Sequence, residues 1–272
     1  MDGNLTMSKI PSKDTQTGLE ELFSKHQLLP VLREQFLQMG DDQVVVEPAM
    51  ATEALAQLYL HRQADVPTMV GILTPKYGTP QEVADKLLLL CEIDYFDFHE
   101  SSDKFVVKYD VSEDVEEMLA KYQYPLPMVT PPRKVTKNHH TGYETIRKSV
   151  VLNGSEYFDD KDLCLDHLNR ANSVALSISM DTVTSDEGKY LRPTRNPGED
   201  FEDFRKRQKQ ADTFYATSLQ VMETIDSLSE RLFLTHRYDR RGRCYASGYH
   251  VNTQGTDYNK AVLQMSKKEI IT

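Results

Sequence analysis

Cysteine is scarce: Cys91, Cys164 and Cys244 are the only three, each more than seventy positions from the next. That spacing leaves no CxxC pair, no zinc-ligand spacing and no disulfide framework, and it suits a reducing compartment. Long apolar runs are missing too. The opening thirty residues lack the apolar segment of a secretory leader, and no stretch approaches the length needed to cross a bilayer, so a soluble protein of the cytoplasm is expected. An excess of positive charge is also absent. The chain sets 32 Lys and Arg against 42 Asp and Glu, a net charge of -10, which points away from polyanionic partners for the molecule as a whole. There is no glycine-rich phosphate loop and no motif around a serine and histidine that would mark nucleophilic catalysis. His139 and His140 are adjacent, but no carboxylate or cysteine stands at ligand spacing from them, so they read as a solvent-facing pair.

What is present is the balance of a globular protein. At 272 residues, 39% hydrophobic and 27% charged, the chain has room for one large or two ordinary domains with a sizeable core. Charge is unevenly spread. Residues 81–120 hold twelve acidic side chains and three basic ones, whereas residues 231–272 hold eight basic and three acidic. Such asymmetry predicts that one end meets phosphates and the other does not.

Periodicity gives the organisation. Residues 17–38 and 48–64 read as helices, with Pro30 breaking the first. "TPQEVADKLLLLCEI" starts a helix in three ways at once, with Thr79 as cap, Pro80 at the first helical position and Glu82 in the first turn. A hairpin follows over 95–108, with Phe96 and Phe98 on one side of its first strand and Phe105, Val107 and Tyr109 on one side of its second. Its tip is His99, Glu100, Ser101, Ser102 and Asp103. Ser112 then caps another helix with acids in its first turn. Residues 124–136, with four prolines in eight positions, form an extended connector. Residues 160–182 and 201–229 read as two long helices, and the second carries Arg205, Lys206, Arg207 and Lys209 in its first half.

The basic end concentrates in "YDRRGRCYASGYH", residues 238–250. Read as a strand continuing from "RLFLTH", it places Arg241, Arg243 and Tyr245 on one face and Arg240, Cys244 and Ala246 on the other, with Gly242 letting a backbone or ligand come close. Two guanidiniums beside an aromatic ring suit a nucleic-acid backbone: arginine forks onto phosphate oxygens, and a ring supports a sugar or base.

The block "YDRRGRCYASGYHVNTQGTDYNKAVLQMSKK" resembles the one that opens the palm in the single-subunit RNA polymerases of phages and mitochondria. The shared pattern is D/T-x-x-G-R, then Tyr-Ala, then N-x-Q-G-x-D, then a lysine. Here these positions are Asp239, Gly242, Arg243, Tyr245, Ala246, Asn252, Gln254, Gly255, Asp257 and Lys260. Upstream, "PMVTPPRK" resembles the family's proline-rich segment, "LNRANSVALSIS" its helix with two asparagines (Asn169 and Asn172), and the hairpin sits where the family carries a promoter-opening hairpin. The resemblance runs over residues 80–268.

That resemblance implies a fold that is α+β and mainly helical. Residues 1–159 would be an N-terminal helical domain with the hairpin, 160–229 a helical thumb, and 230–272 the first strands of a polymerase palm. It implies that Arg243, aided by Gly242, Arg241 and Tyr245, holds the template or the RNA hybrid, with Asp239 orienting an arginine rather than binding metal. Gln254, Gly255, Asp257 and Lys260 would shape the floor beneath the hybrid. Asn169, Asn172, Arg205, Lys206, Arg207 and Lys209 would be thumb contacts. The family's two metal-binding aspartates and its fingers lie downstream of this block, and the chain ends twelve residues after Lys260. The resemblance is therefore closest to the two-chain phage branch, in which a larger catalytic subunit holds the Mg2+ and this chain alone is inactive. DNA template and nascent RNA would be its ligands, in the cytoplasm of an infected bacterium, with no membrane partner.

Two further expectations follow. An isolated "RLFLTH" strand would expose an apolar edge for the partner to cover, putting the subunit interface at 229–272. The acidic hairpin tip repels DNA phosphates where relatives insert an apolar wedge, so promoters would be single-stranded or opened by a helper such as a single-stranded DNA-binding protein. The rival reading is a non-enzymatic transcription factor, with the helix and hairpin at 80–108 as a winged-helix-like reader.

Overall fold

A computed structural model describes residues 11–39, 47–152, 162–184 and 193–267. Helix takes about half of them and the sheets are small and antiparallel, a mainly helical α+β protein. The chain divides into two compact units, one of residues 25–119 and one of residues 1–24 with 120–272. The expected boundary at 159/160 falls outside the described residues. No helix among them is long and apolar enough to cross a membrane.

The 25–119 unit is built on α2 (Lys25–Met39) and α3 (Pro48–His61). In α2, Leu28, Leu32 and Phe36 recur at every fourth position and are buried, the single apolar stripe of a helix packed on one side. Pro30 lies within α2 and does not break it. The chain breaks earlier, at Phe23 and Ser24, and the one ladder bond that proline forfeits is outweighed by burial of the leucines around it. α3 is buried on nearly every side through Met50, Ala51, Ala54, Leu55 and Leu58, small residues letting its neighbours approach. Its buried Glu53 accepts both arms of Arg33, at 2.7 and 3.0 Å, and a bond from Gln57 at 2.8 Å.

After α3 come β1 (Gln63–Asp65), α4 (Val66–Tyr77), α5 (Pro80–Glu92), and the strands β2 (Asp97–His99) and β3 (Lys104–Val106). α5 starts as its sequence predicts: Thr79 and Glu82 form a reciprocal capping box with Pro80 in the first turn. The hairpin forms but is shorter than expected: its strands leave out Phe96, Val107 and Tyr109, His99 pairs with Lys104, and β1 joins in the order β1–β3–β2. Ala64 and Phe98 both stand opposite Phe105, the buried centre of the sheet. α6 (Glu113–Tyr122) closes this part of the chain with three acids in its first turn.

The larger unit contains α1 (Lys13–Leu22), α7 (Leu165–Asn172), β4 (Ala175–Ile178), α8 (Met180–Thr184), α9 (Phe201–Leu228), β5 (Leu232–Phe233), β6 (His236–Tyr238), β7 (Cys244–Ala246), α10 (Asp257–Ala261) and β8 (Leu263–Met265). The single helix expected over 160–182 is corrected: the chain turns at Ser173 into a strand. Leu176 and Ile178 are buried and Ser177 between them is not, the period of two that only a strand can place against a core. β4 is the centre of a sheet ordered β5–β4–β8, and β6 pairs with β7 as a separate hairpin. α9 covers this core with Val221, Met222 and Ile225, which cluster with Met128, Leu176, Leu232 and Val262. Asp200 caps α9 by accepting from Glu202 N at 2.7 Å.

The edge that "RLFLTH" was expected to expose is covered by the chain itself. Phe233 exchanges both backbone bonds with Met128, at 2.8 Å each, and Leu232, Phe233 and Leu234 are buried. Tyr238 similarly donates to Val150 O and accepts from Leu152 N. β8 is the other edge of the β5–β4–β8 sheet, and its Met265 side chain is exposed.

Candidate nucleic-acid interface

Residues 239–243 form the tip of the β6–β7 hairpin, so the alternating strand faces expected for Arg240, Arg241 and Arg243 are corrected to a turn organised by one carboxylate. Asp239 N donates to Arg243 O at 2.8 Å and Gly242 N to Asp239 O at 3.0 Å. The Asp239 side chain folds over this turn: Oδ1 accepts from the backbone N of Arg241 at 2.8 Å and of Arg243 at 2.9 Å. Its Oδ2 accepts from Arg243 Nε at 2.7 Å and lies 3.6 Å from Arg241 Nε. Gly242 has φ +82°, and a Cβ there would meet nothing within 4 Å. Glycine is required for the left-handed turn itself rather than for a close approach.

The consequence is a pair of arginines aimed by the same anion. Burial alone would raise the Asp239 carboxyl, but the Arg243 and Arg241 backbone N–H groups and the Arg243 guanidinium prevail and hold it at about 2. The carboxylate stays ionised and keeps its grip. Arg243 engages it through Nε, and its side chain is 55% exposed; that of Arg241 is 74% exposed. The Arg243 guanidinium carbon sits 5.5 Å from the centre of the Tyr245 ring, a cation–π contact that fixes the flexible stem. Asp239 thus orients an arginine. Two forked donors and a ring therefore stand at a hairpin tip, chemistry that can take a phosphate oxygen and support a ring.

The following loop braces this tip. Gln254 lies along β7 as a strand would, accepting from Ala246 N at 2.7 Å and donating to Cys244 O at 3.0 Å. Asn252 donates to Gly248 O at 2.8 Å and accepts from Gln254 N at 2.8 Å. Gly255 makes room for Asn259, whose Oδ1 would lie 2.9 Å from an added Cβ. Asn259 and Thr256 then form the capping box of α10. Asp257 and Lys260 pair across the exposed first turn of α10 at 3.2 Å. Gln254 and Gly255 are thus bracing residues, whereas Lys260 is exposed and pairs with Asp257.

The other site residues read from the sequence fall into two groups. Asn169 is not an open contact: its side chain brackets Val135, accepting from its N at 2.7 Å and donating to its O at 3.0 Å. Asn172 is buried, with Oδ1 facing His236 N at 2.9 Å and His236 Nδ1 at 3.0 Å. Both amides tie the connector and β6 to α7, so the two residues expected as thumb contacts spend these bonds within the chain. On α9, Arg205, Lys206 and Lys209 are exposed, with Arg205 lying 4.8 Å over the Phe201 ring. Arg207 is engaged by Glu199 at 2.9 and 2.8 Å and by Thr194 O at 2.8 Å. In the other unit, the hairpin-tip residues His99, Glu100, Ser101, Ser102 and Asp103 are all exposed, with Asp103 in the left-handed region at φ 54°.

Arg237 is a residue that the sequence did not separate from its neighbours. Its guanidinium reaches back to Ser149 O at 2.7 Å and Val151 O at 3.1 Å, anchoring the hairpin base while Arg241 and Arg243 occupy its tip. Burial pushes its pKa down. Tyr238 completes the base by donating to Cys164 O at 2.9 Å.

Among the described residues no group of three or more His, Cys, Asp or Glu is placed to hold a metal ion. Set against protein-family models and against curated proteins, the chain matches none.

Proposed function

We propose that this chain is the smaller part of a split DNA-directed RNA polymerase, supplying a grip on the template or the RNA–DNA hybrid. The observation that carries the reading is the tip at 239–245, where one carboxylate aims Arg241 and Arg243 outward beside Tyr245. The residues building it occur in the order D-x-x-G-R, Tyr-Ala, N-x-Q-G-x-D, Lys that resembles the palm-opening block of the single-subunit polymerases. A larger partner subunit supplies the fingers and the aspartates that hold Mg2+, the ion that activates the attacking 3'-hydroxyl and steadies the leaving pyrophosphate. The partner's strands have an edge to join at β8, since the chain pairs Phe233 with its own Met128.

The test is binding of single-stranded DNA and of an RNA–DNA hybrid as a function of salt. Each phosphate contact on a single strand adds about 0.7 to the slope of log affinity against log salt. Arg241→Ala with Arg243→Ala should lower that slope by about 1.4 without changing the fold, and an unchanged slope would remove the grip from this tip.

The rival reading has one observation in its favour. The order α3–β1–α4–α5–β2–β3, with the sheet β1–β3–β2, is that of a winged helix. A groove reader needs cations on the helix it inserts, and the exposed side of α5 carries none.

A further inference from the structure

In a winged-helix arrangement the second helix of the pair and the hairpin tip form the presenting surface. Here those are α5 and residues 99–103. α5 buries Val83, Leu87 and Leu90, which leaves one continuous arc facing outward. Along that arc stand three carboxylates, Glu82, Asp85 and Glu92, all exposed. Interleaved with them are three large aliphatic side chains: Leu88 is 45%, Leu89 37% and Ile93 40% exposed. Gln81 is the remaining member. The lysine of this helix, Lys86, is half-buried and donates to Tyr77 O at 3.3 Å and to Glu47 at 3.5 Å. The hairpin continues the same sign with Asp97, Glu100 and Asp103 exposed, while Lys108 is paired with Asp94.

Phosphates are repelled by such a surface, and three aliphatic side chains on one helix arc are not what solvent favours. We infer that the exposed arc of α5 docks a basic amphipathic segment of another protein, in which Lys and Arg flank a row of apolar side chains. Charge complementarity selects this occupant: cations on its rim meet Glu82, Asp85 and Glu92, while its apolar row covers Leu88, Leu89 and Ile93. The presenting geometry is that of a winged helix, and its charge is opposite to what a DNA reader needs. This inference rests on the 25–119 unit alone and is independent of the polymerase reading.

The probe is a synthetic amphipathic peptide with leucine at i, i+3, i+4 and i+7 and Lys or Arg elsewhere, labelled and titrated with the full chain by fluorescence anisotropy. A peptide with Glu in place of every Lys and Arg, and a short mixed-sequence DNA duplex, are titrated in parallel. Expected is binding of the basic peptide that weakens with salt and exceeds the acidic peptide's by about ten-fold or more. The double variants Asp85→Lys with Glu92→Lys, and Leu88→Ser with Leu89→Ser, should each lose about ten-fold, with unchanged circular dichroism because the altered positions are exposed. Three results would overturn the inference. They are peptide binding indifferent to both double variants, duplex DNA bound more tightly than the peptide, and a chain that self-associates through this face and becomes monomeric in the leucine variant.

Discussion

Replacing Asn172 with alanine should destabilise the larger unit and leave nucleic-acid affinity untouched. Asn172 Oδ1 faces two groups of His236, the backbone N at 2.9 Å and the ring Nδ1 at 3.0 Å, and Nδ2 reaches Thr141 O at 3.5 Å. Alanine deletes all three. The two short bonds contribute about 0.5–1.5 kcal/mol each, and a buried donor left dry costs about 1–3 kcal/mol. His236 is only half-buried, so water recovers part of that, and the sum is about 2–4 kcal/mol. For a unit of this size each kcal/mol moves the midpoint by about 2–4 °C, giving a fall of about 5–15 °C. Thermal unfolding followed by circular dichroism reads the shift, and the salt slope of single-stranded DNA binding is measured on the same protein. A loss below about 1 kcal/mol together with single-stranded DNA affinity weakened at every salt concentration would show that the amide meets nucleic acid and that the bracing role is wrong.

Two glycines should behave differently. Gly242→Ala meets open space at φ +82° and should cost only the left-handed penalty of about 1–2 kcal/mol. Gly248→Ala, at φ +114° with its Cβ 2.9 Å from Val251 O, should cost more, and the reverse order in denaturant midpoints would contradict the placement of both loops. The acid limb of stability should be shaped by two carboxyls. Arg207 and the Asn196 N–H hold Glu199 at about 2 against its ordinary 4.5, and the tip holds Asp239 at about 2 against 3.8. Both contribute above the ordinary values and lose that contribution as pH falls toward 2, so Glu199→Gln and Asp239→Asn should each flatten the acid limb of a pH–stability curve. Two histidines act nearer neutrality. Burial keeps His236 and His250 below 6.5, and the neutral His250 ring is held between Ala120 O at 2.8 Å and Ser218 Oγ at 3.0 Å. The unfolded chain takes up protons more readily, so urea midpoints should hold steady above pH 6.5 and fall below it; midpoints that rise on acidification through that range would contradict the burial.

Local chemistry was legible where it is complete within a few residues. Thr79, Pro80 and Glu82 spell the start of α5, and the aromatic pairs about a polar tip spell the hairpin. β1 was not legible, because Gln63–Asp65 is three residues long and only pairing with β3 makes it a strand. β4 was hidden for a similar reason: its alternation spans Leu176 to Ile178 and is set against a helix on either side. Pro30 misled because a proline's single lost bond says nothing about how firmly the helix around it is packed. In the candidate interface, the residue types of the arginine tip were readable, including Asp239 as an orienting anion. Its geometry was not, since a five-residue turn and a continuing strand differ only in where Asp239 Oδ1 finds its donors. Asn169, Asn172 and Arg237 are polar residues spent on backbone more than thirty positions away, and sequence does not distinguish such tethers from ligand contacts.

Run-off synthesis on a single-stranded DNA template with Mg2+ and four ribonucleotides tests the split-polymerase account most directly. The chain is assayed alone, with a co-purified companion bearing the metal-binding aspartate motifs, and with that companion after Arg243→Ala. Transcripts from the pair, none from this chain alone and a loss on Arg243→Ala are the expected result. Transcripts from this chain alone, or from a pair indifferent to Arg243→Ala, would contradict it.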